Sequence, residues 1–416
     1  MTGALEGIRV VDFTQLEQGP AGTQVLADFG AEVIKVERPL EGEIGRRQYP
    51  TIGDYSPHWS ATNRNKKSIT VDLKSSEGIE IIKRLVVDSD VVTSNFRPGV
   101  MERLGLGPDD LQSINPRLVV AFASGYGQSG PYRDRRGQDL AAQAMSGLMN
   151  LTGYAGGPPT PSGTFMIDYL ASQQFAMGIL LALHARERTG RGQIVDTCLL
   201  NAAVASHLQE GASYLNTGLD FPRPERGVAH AHNTALYGYY ETADQRWIVV
   251  IGEFYISEPW QRMCRALSID DAVREDPRFS TIEGLREHVA ETTALISEAV
   301  KRYNRDDVMG RMEAEDILVA PVLDYSEVYE DPQVLHNEMV LSSTIPGVGD
   351  VKFVGNPIKL SDTPGTLRTN PPKLGEHNSA VLAALGFTDE QREDLEARGI
   401  VGSENSREQQ TGKQFW

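Results

Sequence analysis

Cysteine is nearly missing. Cys198 and Cys264 are the only two in 416 residues, so no disulfide framework holds the fold, and a reducing, cytoplasmic setting is expected. Positive charge is also short: 40 Lys and Arg face 57 Asp and Glu, leaving a net charge of −17. The resulting field repels nucleic acid and anionic membranes, so neither is expected as a partner, and any anionic ligand must be held by local basic groups. The most lipid-like run, Phe175 to Leu183, is broken by Gly178 and falls well short of the roughly 20 apolar residues that span a bilayer. The first residues carry no charged segment leading into an apolar one, so no secretory signal is expected. Familiar chemical motifs are absent too. Gly19 and Gly22 lack the G-x-G-x-x-G spacing that lets a backbone approach a pyrophosphate. There is no phosphate loop, H-E-x-x-H, paired C-x-x-C or G-x-S-x-G, and His230 with His232 reads first as a polar loop. No metal or redox cofactor is implied.

With 40% hydrophobic and 23% charged residues, the chain has material for two cores. Leu5 to Phe13 reads as a buried strand, followed by a turn at Gly19-Pro20, a helix to Asp28 and a strand from Ala31 to Glu37. Further strands are expected at Val91 to Asn95 and Leu118 to Ala123, with a helix after Ser75 or Ser76 and a long one from about Tyr169 to Arg188. Strands alternating with helices predict an α/β fold with a mainly parallel sheet and ligand loops at the strand C-termini. A linker over Asp220 to Gly227 divides residues 1–220, the first part of a large domain, from a small α+β domain over 225–325. Residues 326–402 return from it, Thr388-Asp389-Glu390-Gln391 opens a last helix, and 403–416 form a polar tail.

One carboxylate stands in an odd setting. Asp168 follows a short apolar run at the mouth of a helix otherwise rich in Ala, Leu, Met and Phe. By spacing it reads first as an N-cap and second as a nucleophile against a low-dielectric wall, and one residue can be both. Basic side chains recur at strand ends: Arg38, Lys74, Arg97, Arg103 and Arg136. Singly each is a solvated charge; gathered at one sheet edge they would neutralise a multiply phosphorylated ligand.

Several blocks then fall into a familiar order. They are Leu5 to Thr14, Gly30 to Glu37, Asn63 to Ser68, Asn95-Phe96-Arg97-Pro98-Gly99, Asp168, Thr189 to Gln193, and Leu374-Gly375-Glu376-His377. Together they resemble the class III coenzyme A transferases, the formyl-CoA transferase-like CaiB/BaiF type. The resemblance implies a Rossmann-like large domain made from both chain ends, a smaller inserted domain, and an interlocked homodimer. It also implies acyl-CoA and carboxylic acid substrates, with coenzyme A a substrate moiety rather than a cofactor, and Asp168 as the attacking carboxylate. Coenzyme contacts of the family fall on Gln15, Leu16, Arg38, Val71, Lys74, Asn95, Phe96, Arg103 and Arg136. The glycine segments Gly125 to Gly130 and Gly153 to Gly163 would offer backbone N–H groups to an oxyanion.

Departures from the family pattern matter as much. Where oxalate-acting members carry a glutamine, this chain has Glu17, with Gln18 beside it. A second carboxylate there either repels an anionic acceptor or stays protonated and donates a hydrogen bond. The run of four glycines of the oxalate-type enzymes is missing, and residues 227–233 stand in its region, which points to an acid larger or less charged than oxalate. Gln138 and Asp139 are candidates for positioning the acyl group. Two alternatives remain. A 2-methylacyl-CoA racemase needs a histidine where Gln138 stands, although Glu253 falls near a glutamate those enzymes carry. The other is a catalytically silent CoA-binding protein.

Overall fold

The computed structural model describes residues 3–53, 55–253 and 256–403. Of the polar tail expected over 403–416, all but Ser403 lies outside them. The chain divides into two compact units. The larger takes Met1–Met145, Thr164–Ser206 and the segment from Pro332 onward; the smaller takes Ser146–Gly163 and His207–Asp331. Residues 146–163, 207–220 and 326–331, expected in the large domain, cluster with the smaller unit. The local cause is visible: Ala155 N–H donates to the Pro224 carbonyl at 2.7 Å, and Glu210 on the helix Leu208–Thr217 holds His230 at 3.0 Å.

In the larger unit six strands form one parallel sheet: β1 Arg9–Asp12, β2 Glu32–Glu37, β3 Lys66–Thr70, β4 Val91–Ser94, β5 Val119–Ser124 and β6 Ile194–Cys198. Their order is β3-β2-β1-β4-β5-β6, the doubly wound arrangement in which the chain changes direction between β1 and β4. Runs of β-branched residues suit strands covered on both faces. Successive side chains point to opposite faces, so Val10, Val33, Val91 and Val119 enter one core with Phe175, Ile179 and Leu183. Their neighbours Val11, Ile34, Val92 and Val120 enter the other with Ile81, Leu85 and Leu382. The long helix Met166–Thr189 fills the first of these cores, closed by Gly190 at φ +69°. By length and composition it is apolar enough to cross a membrane, more so than its broken apolar run suggests. Its Arg186 is ion-paired with Asp90 at 2.9 Å, as expected for a core helix.

The segment from Pro332 opens with a short helix, Pro332–His336, continues into a hairpin, Val340–Ile345 paired with Gly349–Val354, and then covers the outer strand β3. His377 N–H donates to Ser68 O (3.0 Å), Thr70 N–H to Asn378 Oδ1 (2.8 Å), Gly402 N–H to Thr70 Oγ1 (2.8 Å) and Asp72 N–H to Ile400 O (2.8 Å). A buried bidentate pair, Arg64 to Asp28 at 3.0 and 2.7 Å, anchors the hairpin through Arg64 Nη1 on Val354 O. The smaller unit has a three-stranded antiparallel sheet, β7 Tyr237–Glu241, β8 Trp247–Ile251 and β9 Leu318–Pro321. Its helices pack Trp260, Met263, Phe279 and Ile296 over it.

Candidate active site

In a doubly wound sheet the ligand crevice opens where the strand order reverses, outside the C-terminal ends of the strands on either side. Here those strands are β1 and β4, and the loops leaving them are stitched together. Gln15 N–H donates to Asn95 Oδ1 (2.8 Å) and Asn95 Nδ2 returns a bond to Gln15 O (2.7 Å). Leu16 is held at φ +65°, an unfavourable conformation for a branched side chain, with its N–H on Glu43 Oε2 at 2.9 Å. Phe96 packs its ring 6.4 Å from Phe13. Beside them Gln15, Arg38, Glu41, Gly42, Glu43 and Arg47 line a cleft of about 320 Å³.

Below the loop lies a charge cluster that sequence reasoning missed. Asp12, wholly buried, accepts from Thr14 N (2.9 Å), Thr23 Oγ1 (2.7 Å), Thr93 Oγ1 (3.0 Å) and Lys66 Nζ (3.2 Å). Burial alone would raise its pKa, but Lys66, Lys35 and the hydroxyl donors outweigh that and hold it well below the carboxylate range. Lys35 donates to Thr14 O at 2.7 Å and lies 3.4 Å from Glu43. The only signal for this cluster was charged residues inside apolar strands, at Asp12, Lys35 and Lys66.

The first helix, Gln18–Asp28, leaves β1, and Met166–Thr189 leads into β6. Both connect parallel strands, so both run against the sheet direction and present their N-termini at the same edge. A methyl group on Gly22 would lie 2.8 Å from Ser172 O and 3.0 Å from the Phe175 ring, so the two helices touch there. One turn nearer each N-terminus, Glu17 comes beside Asp168. Asp168 is not the N-cap expected of it: Phe165 occupies that position and Asp168 is the third helical residue. The capping carboxylate comes from Asp139, first residue of the helix Asp139–Met145. Its Oδ2 accepts from Ile167 N (2.7 Å) and Asp168 N (3.1 Å), and Gln143 Nε2 donates to its Oδ1.

Three carboxylates therefore share one corner. Burial, then the Asp139 charge, pushes Asp168 up to about 7. Burial, then Asp168 and Asp139, pushes Glu17 up to about 7. Gln18 is buried, its amide near Ser124 O, whereas Gln138 is exposed and leaves the carboxylates alone.

The basic candidates are placed less tightly. Arg38, Lys74, Arg103 and Arg136 are exposed and Val71 is buried. Only Arg38 shares the cleft with Gln15. Arg103 leans over Gly99, joined there by Arg133, which the sequence reading passed over although it stands in the run Arg133 to Arg136. Gly125 lies against Gly137, so its freedom serves a contact between two loops. In the smaller unit Glu253 accepts from Thr234 N (2.9 Å), Thr234 Oγ1 (3.1 Å) and Arg286 (3.3 Å), a clamp rather than a free base. His230 bonds Glu210 and His232 the Asp220 carbonyl at 2.8 Å.

Fold and site thus define an α/β enzyme with a nucleotide-type sheet edge and a half-buried, protonatable carboxyl pair over it. Residues 5–378 match the sequence model of CoA-transferase family III, and the chain belongs to that family of CoA-transferases. It is 35% identical over 402 residues to a succinyl-CoA–D-citramalate CoA-transferase of Chloroflexus aurantiacus, covering 95% of this chain and 98% of that one. A formyl-CoA:oxalate CoA-transferase of Streptomyces avermitilis is 34% identical, with 96% and 100% covered. Among solved structures, a CaiB/BaiF family protein from Brucella suis superposes with a TM-score of 0.82 at 31% identity, over 92% of this chain and 100% of that one.

Proposed function

We propose that this enzyme moves coenzyme A from an acyl-CoA to a carboxylic acid through a covalent adduct on Asp168. What supports the reading is the placement of that carboxyl in the first turn of a core helix whose end amides are already taken by Asp139. An Asp168 oxygen attacks the thioester carbon, the C–S bond breaks, and CoA thiolate leaves a mixed anhydride. The thiolate then attacks the Asp168 carbonyl carbon, the anhydride C–O bond breaks, and the donor acid departs from an aspartyl-CoA thioester. The acceptor carboxylate reverses both steps. Each intermediate hydrolyses readily, so partial burial of the corner protects it. Gln15, Leu16, Asn95 and Phe96 hold the crevice into which the coenzyme enters, with Arg38 along the cleft and Val71, Lys74, Arg103 and Arg136 at the same sheet edge.

Glu17 in place of an amide favours an acid larger or less charged than oxalate, which sets this chain apart from its Streptomyces relative and nearer the D-citramalate named for the Chloroflexus one. Exposed apolar residues Tyr169, Met177, Leu180 and Leu181 on one face of the long helix support a homodimer. Buried, unpaired Cys198 and Cys264 support a cytoplasmic setting. The test is mass spectrometry of protein incubated with acyl-CoA esters: a CoA adduct on Asp168, lost in Asp168→Ala together with turnover. CoA binding without adduct or turnover would leave a silent CoA-binding protein, and α-deuterium uptake without any acceptor acid would leave a racemase.

A further inference from the structure

Glu17 is built differently from the other two carboxyls of the corner. It occupies the N-cap position of the helix Gln18–Asp28, and its backbone carbonyl accepts from Ala21 N at 2.9 Å, yet its side chain makes no cap. That carboxyl is half-buried and has no hydrogen-bond partner among the described residues. Facing it are Asp168 from the long helix and Asp139 from the helix Asp139–Met145. Asp139 accepts from two helix amides and the Gln143 amide, so both of its oxygens are already engaged. The buried cation Lys35, on β2, is turned to Thr14 O and Glu43. Leu16, the residue before Glu17, has its N–H on Glu43, so that carboxylate is spoken for as well.

A donor thioester enters this corner neutral at its reacting carbon, but an acceptor acid enters as an anion. Resting on the proposed Asp168 chemistry, we propose that Glu17 serves the acceptor acid as a neutral carboxyl donor. Its proton supplies one hydrogen bond to the incoming carboxylate and removes one of three like charges. The working state of the corner then holds a single proton between Glu17 and Asp168, carried by Glu17, with Asp168 free to attack. A second proton silences the nucleophile; loss of the only one leaves Glu17 and Asp168 both charged and turns the acceptor away. Raised affinities for protons at both Glu17 and Asp168 accord with this, their two steps belonging to the pair. An amide would do the donor's work at every pH. Glutamate makes acceptor use depend on pH, while the donor half-reaction lacks that alkaline limit.

The test compares wild type with Glu17→Gln, reading kcat/KM for the acceptor acid across pH and, separately, CoA adduct formation from the acyl-CoA donor. Wild type falls about tenfold per pH unit on the alkaline side. Glu17→Gln keeps the acid limb where it is, because Glu17 is already neutral when Asp168 loses its proton and burial and Asp139 hold that step up, and it loses the alkaline limb, with adduct formation intact. An unchanged alkaline limb in a variant that still forms the adduct overturns this inference alone, and no adduct even in wild type overturns the underlying mechanism with it. Should the variant fail to fold, wild type suffices: above neutrality the inhibition constant of the acceptor acid rises about tenfold per pH unit while that of its primary amide stays level. Parallel profiles for the two overturn the proposal.

Discussion

Removing the Asp139 side chain tests the corner's architecture independently of substrate identity. In Asp139→Ala the amides of Ile167 and Asp168 lose their acceptor, while the Gln143 amide loses one bond and keeps Thr164 O at 3.3 Å. Loss of a helix cap costs about 1 kcal/mol. A buried donor left without a partner costs about 1–3 kcal/mol more. The sum, about 2–4 kcal/mol, lowers the melting temperature by roughly 5–10 °C in a unit of this size. A second effect runs the opposite way for chemistry: Asp139 is one of the two causes that hold Asp168 up to about 7, so without it the nucleophile ionises at lower pH. The acid limb of kcat/KM moves down with it. Calorimetry and a pH–rate profile on the same preparation read both effects, and Asp139→Asn, which keeps an acceptor oxygen, shows the pH shift with a smaller loss of stability. A melting temperature within a degree of wild type, with an unmoved acid limb, would refute the assignment of Asp139 as the cap.

Three further outcomes are expected. Asp168 is raised from 3.8 to about 7 in the folded state, so ionising it costs stability as pH rises through that window. Asp168→Asn should therefore stabilise the protein by about 1–2 kcal/mol at pH 8 and hardly at all near pH 4, read by urea titration; equal effects at both sink the reasoning. Arg64→Met strands the buried Asp28 carboxylate with only amide donors from Asn65 and Asn356 and should cost about 3–5 kcal/mol. A loss under about 1 kcal/mol would show that the pair does not anchor the hairpin. Gly22→Ala drives a methyl group into Ser172 O and the Phe175 ring, should cost about 1–3 kcal/mol, and should lower kcat more than KM by spreading the helices that align Glu17 with Asp168.

The sheet was legible because its strands are short apolar runs between turn signals, and β1, β2, β4 and β5 lie where periodicity places them. Asp168 was legible as a residue but not in its role. Spacing shows a carboxylate at a helix mouth, whereas the cap that displaces it comes from Asp139, 29 positions earlier in the chain. Asp12, Lys35 and Lys66 escaped notice because charge is read by default as surface, and only their mutual neutralisation allows burial. The domain boundary was misread at 207–220 because the helix Leu208–Thr217 belongs by its contacts to the smaller unit on its C-terminal side. Exposed Arg38, Lys74, Arg103 and Arg136 carry little local structure to recognise, so their gathering came from family likeness rather than from pattern.

The sheet's outer strand, β3, is clothed by residues 377 to 402, more than 300 positions downstream. During synthesis, then, that rim stands open with its amides and carbonyls unmatched until residues 377 to 402 have left the ribosome. A chain stopped near residue 370 would be lost from the cell chiefly by sticking to its own kind, before any question of catalysis arises.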